Sequence, residues 1–167
     1  MPYPIPPEAV EFAGFVLVHC AAVADANRDG ELICPFAVVE DSDGRRAIDF
    51  ESETQQEAVA KGWASLDEWK EEARRWAFGR EGVYRAGDTT VDVLVVSTWM
   101  PEMLAPATVI QRFARDAEGG LYLIGEAELL LSKPGGAEQI DEWNEAALLR
   151  GIEAHPKGAR WSGWKAH

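Results

Sequence analysis

The stretch Val91-Asp92-Val93-Leu94-Val95-Val96-Ser97-Thr98-Trp99, residues 91–99, decides the fold of this chain. Successive side chains of an extended strand point to opposite faces, so the three odd-numbered valines share one face. Leu94 and Val96 share the other face. Because both faces are apolar beyond Asp92, we expect residues 91–99 to form a central strand of a sheet.

Turn-forming residues separate this strand from others along the chain. Gly87 and Asp88 precede it, the Asp-Ser-Asp-Gly stretch at 41–44 lies upstream, and a glycine-rich stretch at 116–120 lies downstream. Such short connections predict hairpins, and strands joined by hairpins pair antiparallel. Because Pro35 lacks a ladder donor, we expect the first strand to lie at an edge or to begin after Pro35. The expected strands cover residues 32–40, 45–51, 83–86, 91–99, 108–115 and 121–131.

Three helices are expected around these strands. Two prolines before Glu8 favour the start of helix one, which runs to about Ala26. A capping box of Thr54 and Glu57 begins helix two, whose apolar spacing continues to about Ala77. Helix three is expected from Ala137 to Ala154.

These elements predict a single α+β domain over residues 1–155 in the order α-ββ-α-ββββ-α. Its sheet is expected to be mainly antiparallel, with about six strands built from hairpins and with the helices on one face. Residues 156–167 form a basic, Trp-containing tail, which we expect to dock on the body of the domain.

Helix one carries two apolar stripes on nearly opposite sides. One consists mostly of small residues, and the other contains Phe12, Val16, His19 and Val23. We expect both stripes of such a helix to be covered by other parts of the protein. The second cover is either another element of the same domain or a second copy of the chain, which would make a homodimer through helix one.

The chain is acidic. Its 167 residues include 29 acidic and 16 basic side chains, for a formal charge of −13. The tail holds Lys157, Arg160 and Lys165 and no acid, so the body is more acidic still. This charge disfavours direct binding of nucleic acid and of membrane surfaces, and it favours a basic protein partner.

The cysteines and the apolar N-terminal run bear on location. Cys20 and Cys34 show no metal-binding or disulfide spacing, which is typical of reduced thiols in the cytoplasm. No Lys or Arg precedes the apolar run at 12–24, and Glu11 and His19 interrupt its pattern. We therefore expect the run to belong to the fold rather than to a signal peptide.

A partial calcium-loop motif follows helix one. Asp25, Asn27 and Asp29 occupy the first three ligand positions, Gly30 the sharp turn, and Glu31 the carbonyl position. Phe36 stands where the bidentate Glu is required, so the match is incomplete. Calcium binding at 25–32 and a simple turn remain the two alternatives, and no other cofactor is expected.

No catalytic constellation is evident. The sequence lacks phosphate-binding glycine loops, zinc-protease and nucleophile-elbow motifs. Consecutive helix positions point about 100° apart, so His19 cannot face Cys20. A pocket between sheet and helices that uses His19, Cys34 and Trp99 is the alternative expectation.

Aromatic and apolar residues in loops suggest contacts with a partner. The stretch 97–103 presents Trp99 with Met100, Glu102 and Met103, and the tail presents Trp161 and Trp164. We therefore hypothesise a non-enzymatic acidic binding module that acts through protein association, as an inhibitor, immunity or chaperone-type factor would. A small-molecule-binding domain or an enzyme is the alternative hypothesis.

Overall fold

The computed structural model describes residues 5–130, 137–139 and 142–165. The helices are α1 (Pro7–Ala26), α2 (Gln55–Trp69), α3 (Glu142–Ala154) and α4 (Trp161–Lys165), with a 3-10 turn at Gly158–Arg160. The strands are β1 (Phe36–Asp41), β2 (Gly44–Asp49), β3 (Arg75–Ala86), β4 (Thr89–Trp99), β5 (Ala107–Arg115), β6 (Leu121–Leu130) and β7 (Ala137–Gln139).

One antiparallel sheet contains all of these strands, in the order β2-β1-β3-β4-β5-β6-β7. The predicted α+β fold built from hairpins is confirmed. β4 occupies the centre, paired with β3 from Trp76↔Trp99 to Ala86↔Thr89 and with β5 over most of its length. Leu94 and Val96 are buried on one face of β4, and Val93 and Val95 are buried on the other. β1 begins directly after Pro35, as expected because a proline has no backbone N–H to donate to the ladder.

The main core lies between α1 and the sheet, and α3 packs against α1 from outside. The two helices touch backbone to backbone. A Cβ placed on Gly14 would collide with the Leu148 carbonyl, and one placed on Gly151 would collide with the Glu11 carbonyl. Gly14, which belongs to the stripe of small residues on α1, therefore allows α3 to approach closely.

The first part of the second stripe of α1 is covered by side chains from β3 and from the β1–β2 hairpin. Phe12 and Val16 are buried, and the Arg45 guanidinium lies 5.0 Å from the Phe12 ring. α1 is long and apolar enough to cross a membrane, but 72% of its most apolar window is buried inside the fold. Among the described residues, the part of the stripe that remains open is its C-terminal half, around His19 and Val23. The homodimer through helix one stays a prediction.

Helix two is shorter than predicted. α2 ends at Trp69, and the expected continuation to Ala77 is wrong because β3 begins at Arg75. Trp76 and Phe78 pack beneath α2 while Ala77 packs towards α1, an alternation that requires a strand. The spacing of Ala73 and Ala77 also suits a helix, and for this reason the sequence pattern predicts a longer helix than the one observed.

The expectation that all helices lie on one face is also wrong. α1 and α3 lie on one side of the sheet, whereas α2 covers the β1–β3 end of the other side. Alternate residues of β1 reach the two cores: Phe36 and Val38 face α1, and Ala37 and Val39 face α2. The sheet is consequently sandwiched at this end.

The C-terminal region contains three elements that the sequence did not predict: the strand β7, the 3-10 turn and the helix α4. Residues 137–139 form β7 against β6, so the expected start of helix three at Ala137 is wrong and α3 begins at Glu142. After α3 the chain turns back onto the body. Trp161 and Trp164 are 7% and 6% exposed, and their rings form an edge-on pair 6.3 Å apart.

The close contact of α1 with α3 gives a test of the fold. Because a methyl group at Gly151 meets the α1 backbone, we expect Gly151→Ala to lower the free energy of unfolding by about 1–3 kcal/mol in urea titrations. Gly163→Ala in α4 is the matched control. Nothing lies within 4 Å of a Cβ there, and we expect a change no larger than about 1 kcal/mol, in the stabilising direction. Equal stability of Gly151→Ala and the wild type would contradict this packing.

Candidate functional site

A cavity of about 590 Å³ lies between α1, the β1–β2 hairpin and the segment that follows α3. It opens over the uncovered half of the second α1 stripe. The residues that line it are Phe15, His19, Ala22, Val23, Ala26, Val38, Arg45, Arg46, Ala47, His155, Pro156 and Lys157.

The walls of the cavity are apolar. Phe15, Ala22 and Ala26 follow one another at spacings of seven and four residues, which places them on one side of α1. Val38 and Ala47, directly paired across β1 and β2, supply the opposite wall. The hairpin turn at 41–44 thus returns the chain to close the cavity.

Three cationic side chains border these walls in a strongly acidic chain. Arg45 lies 3.0 Å from Glu40, and Arg46 lies 3.6 Å from Asp41. Burial of Glu40 opposes its ionisation, but hydrogen bonds from Arg75 and Arg45 outweigh this effect and lower the pKa of Glu40. Lys157 forms no ion pair with any residue that the structure describes. The cavity therefore retains positive charge.

Two histidines from distant parts of the chain meet at the same cavity. His19 Nδ1 lies 3.4 Å from His155 Nε2, and the backbone N–H of Lys157 donates to His155 Nδ1 at 2.9 Å. Because His155 Nδ1 accepts, the neutral ring carries its proton on Nε2 and donates it to His19 Nδ1. His19 is then left with an Nε2–H donor.

The surroundings favour the neutral form of both rings. His19 keeps an exposed edge, but partial burial of its ring, reinforced by the nearby Lys157 charge, lowers its pKa, and Asp49 opposes this only in part. Burial, His19 and Lys157 lower the pKa of His155. At neutral pH, the histidine pair offers hydrogen bonds and no charge.

Of the three residues proposed for a pocket from the sequence, only His19 lines this cavity. Cys34 Sγ lies 3.6 Å from the carbonyl oxygens of Pro35 and Phe50, outside the lining. Cys34 is exposed, but partial desolvation of its thiol and the charges of Asp49 and Glu51 raise its pKa, which disfavours a thiolate nucleophile. Cys20 is buried in the core, where burial raises its pKa well above the ordinary value.

Trp99 lies on the other face of the sheet. Its ring stacks on Trp76 at 6.2 Å, and its indole N–H donates to the Met103 carbonyl at 3.2 Å. Met100 and Met103 are half-buried, and Glu102 is exposed. The predicted partner-binding residues Trp161 and Trp164 belong instead to the core cluster, which leaves little of either side chain for a partner.

The calcium-loop residues make other contacts. Asp25 is buried, and its two oxygens accept from the Arg160 guanidinium at 2.7 Å and the Leu121 N–H at 3.1 Å. Asn27 Nδ2 donates to the Glu31 carbonyl, and Asp29 accepts from the Glu31 N–H. Within the described ranges, no three His, Cys, Asp or Glu side chains form a group able to hold a metal ion.

Little in the sequence points to the other cavity residues. His155 precedes a proline, which predicts a loop residue, and no local pattern shows where the tail that holds Lys157 docks. The one available signal is the adjacent pair Arg45 and Arg46 in an acidic chain.

Comparison of the chain with protein-family models, curated proteins and solved structures finds no match.

The histidine pair predicts a pH dependence of stability. With both pKa values lowered below the usual 6.5, the unfolded chain binds more protons than the folded chain just below that pH. We therefore expect the pair's contribution to the free energy of unfolding to fall as pH drops from about 7.5 to about 5.5.

Urea titrations of the wild type and His155→Gln across this pH range isolate the effect. Glu81, whose pKa is raised by burial, acts in the opposite direction and is present in both proteins. We expect the wild type to lose more stability on acidification than the variant. Parallel pH profiles for the two proteins would contradict the neutral pair.

Proposed function

We propose that this protein is a non-enzymatic binding domain for a small amphipathic anion, a molecule with an apolar body and a carboxylate. The observation that carries the proposal is the apolar cavity bordered by Arg45, Arg46 and Lys157 in a chain of formal charge −13. Its volume of about 590 Å³ suits a small organic ligand.

The apolar walls supply the affinity. Phe15, Val23 and Val38 present hydrocarbon surface to one space, and removal of that surface from water favours any apolar ligand body. An aliphatic chain along α1 would replace water over these walls.

The polar groups supply orientation. Lys157 has no carboxylate partner among the described residues, and the His19 Nε2–H is an uncharged donor beside it. A ligand carboxylate would accept from both groups. Arg45 and Arg46 add positive potential, although Glu40 and Asp41 offset part of it.

The histidine contacts favour binding over acid–base catalysis. A general base needs a free nitrogen lone pair. His19 Nδ1 accepts from His155, and His155 Nδ1 accepts from the Lys157 N–H. Neither ring therefore holds a lone pair available to a substrate proton.

Titration calorimetry with decanoate and 1-decanol tests the proposal. We expect decanoate to bind more tightly than the neutral alcohol. Lys157→Met keeps the apolar stem of the side chain and removes its charge, so we expect it to weaken decanoate binding about two- to fivefold. It should leave decanol binding unchanged.

Lys61→Met is the matched control, because it removes the same charge from exposed Lys61 on α2, away from the cavity. We expect it to bind decanoate like the wild type. Ala26→Trp fills the cavity from an exposed position and should weaken both ligands. Equal binding of decanoate and decanol, or equal loss in the two lysine variants, would refute the proposal.

Association with a basic protein remains a second proposal, and the charge around α2 favours it. Exposed carboxylates surround this helix at positions 51, 53, 57, 67, 68, 71 and 72. Only Lys61 and Lys70 offset them on α2 and its C-terminal cap. Such a surface attracts cationic partners over a distance set by ionic strength.

Titration with cytochrome c as a basic probe tests this surface. We expect binding that weakens with added salt and that falls about two- to fivefold in the double variant Glu68→Gln/Glu71→Gln. The double variant Asp88→Asn/Glu118→Gln removes the same charge from exposed hairpin turns and should bind like the wild type. Equal losses in the two variants would show that only net charge matters and would refute a docking face at α2.

A further inference from the structure

The strand β2 is one edge of the sheet, and it is open to solvent. It ends the strand order on the side of the β1–β2 hairpin, and all of its residues except Ile48 are exposed. We propose that this edge pairs antiparallel with the β2 edge of a second copy of the chain, with Ala47 opposite Ala47, which forms a twofold-symmetric dimer. The proposal does not rest on the ligand proposed above.

The outer side of β2 carries backbone groups that the fold leaves unpaired. The Phe50 N–H donates to the Pro35 carbonyl at 2.8 Å, which fixes the phase of the hydrogen bonds between β2 and β1. Since alternate residues of an edge strand bond inwards, the backbone groups of Arg45, Ala47 and Asp49 point away from β1. No described residue outside the strands donates to these groups or accepts from them. They are a template for one more strand.

The charges of β2 match the same strand run in the opposite direction. With Ala47 opposite Ala47, Arg45 of each copy lies directly across from Asp49 of the other, and Arg46 lies across from Ile48. Opposite charges directly across a strand pair stabilise it, and like charges destabilise it. A shift of two residues towards the hairpin turn would place Arg46 opposite Arg46. The charges therefore favour a single register.

Both members of the Arg45–Asp49 pair are available for a contact between copies. Asp49 is exposed and makes no hydrogen bond or ion pair with any residue that the structure describes. Arg45 donates through Nε and Nη2 to Glu40, at 3.3 Å and 3.0 Å, and its Nη1 makes no described hydrogen bond. Residues that face each other in a hydrogen-bonded antiparallel pair have Cα atoms about 5.5 Å apart, within reach of an Arg–carboxylate bond.

Charged side chains on an edge strand usually prevent pairing with other chains. The two arginines of β2 disfavour most strands in this way, but the β2 strand of a second copy supplies a carboxylate opposite Arg45. The copies also repel each other at long range, because each has a formal charge of −13. We therefore expect a weak dimer, with a dissociation constant on the order of 10–100 µM at about 0.15 M salt, where that repulsion is screened.

Amide hydrogen exchange of the full chain, followed by NMR at about 10 µM and about 1 mM, tests the proposal. We expect exchange at Arg45, Ala47 and Asp49 to slow at the higher concentration. Exchange at Arg46 and Ile48, whose N–H groups already bond to β1, should not change. Sedimentation equilibrium should show the mass rising from that of one chain towards that of two. A monomer at about 1 mM, or a dimer that does not protect this alternating set, would overturn the proposal.

Asp49→Arg is the first variant, because it places an arginine opposite Arg45 of the second copy without removing a described contact. We expect it to weaken self-association at least tenfold, since two attractive pairs become repulsive. Asp88→Arg makes the same change at an exposed hairpin turn away from β2 and should associate like the wild type. Equal association of the two variants would refute a contact at Asp49.

A mixture of variants tests the register. Arg45→Glu places like charges opposite each other in its own dimer, so we expect it to be monomeric, as Asp49→Arg is. Mixed in equal amounts, the two variants regain opposite charges at both ends of the contact and should associate within about threefold of the wild type. A folded mixture that stays monomeric would refute the register. If melting scans show Arg45→Glu unfolded, the comparison of Asp49→Arg with Asp88→Arg decides the proposal.

Discussion

The structure depends on the burial of α1 on nearly every side. β3 and β4 pack against α1, α3 approaches so closely at Gly14 and Gly151 that side chains are excluded, and the β1–β2 hairpin reaches α1 with the Arg45 side chain. A helix held in this way has little freedom to shift. It can therefore position groups on its surface accurately, and both His19 and Asp25 belong to it.

The cover over the second α1 stripe is complete only in its first half. Phe12 and Val16 are buried, whereas His19 and Val23 border a space that the described chain leaves open. The cavity is thus a gap between the second half of α1 and the β1–β2 hairpin that faces it. Its positive rim follows from the same geometry, because Arg45 and Arg46 begin the strand that returns over the helix.

The fold could be predicted from the sequence where periodicity had one interpretation. The two apolar faces of residues 91–99 identify the central strand, and Thr54 caps α2 by accepting from the Glu57 N–H, as its spacing predicts. Helix two was extended too far because Ala73, Trp76 and Ala77 suit both helical and strand periods. Most of the candidate site could not be predicted from the sequence, because His19 and His155 are 136 residues apart and no local pattern indicates their contact.

The ion pair between Asp25 and Arg160 bears on the order in which the fold forms during synthesis. It joins the end of α1 to the turn after His155 and Lys157, and it also holds the first residue of β6. A chain emerging from the ribosome has α1 and the hairpin early, but the wall formed by residues 155–157 is fixed only when Arg160 has followed. The cavity is thus completed only after the elements from α1 to α3 have been made, and a partly made chain exposes the apolar surface around His19 to solvent.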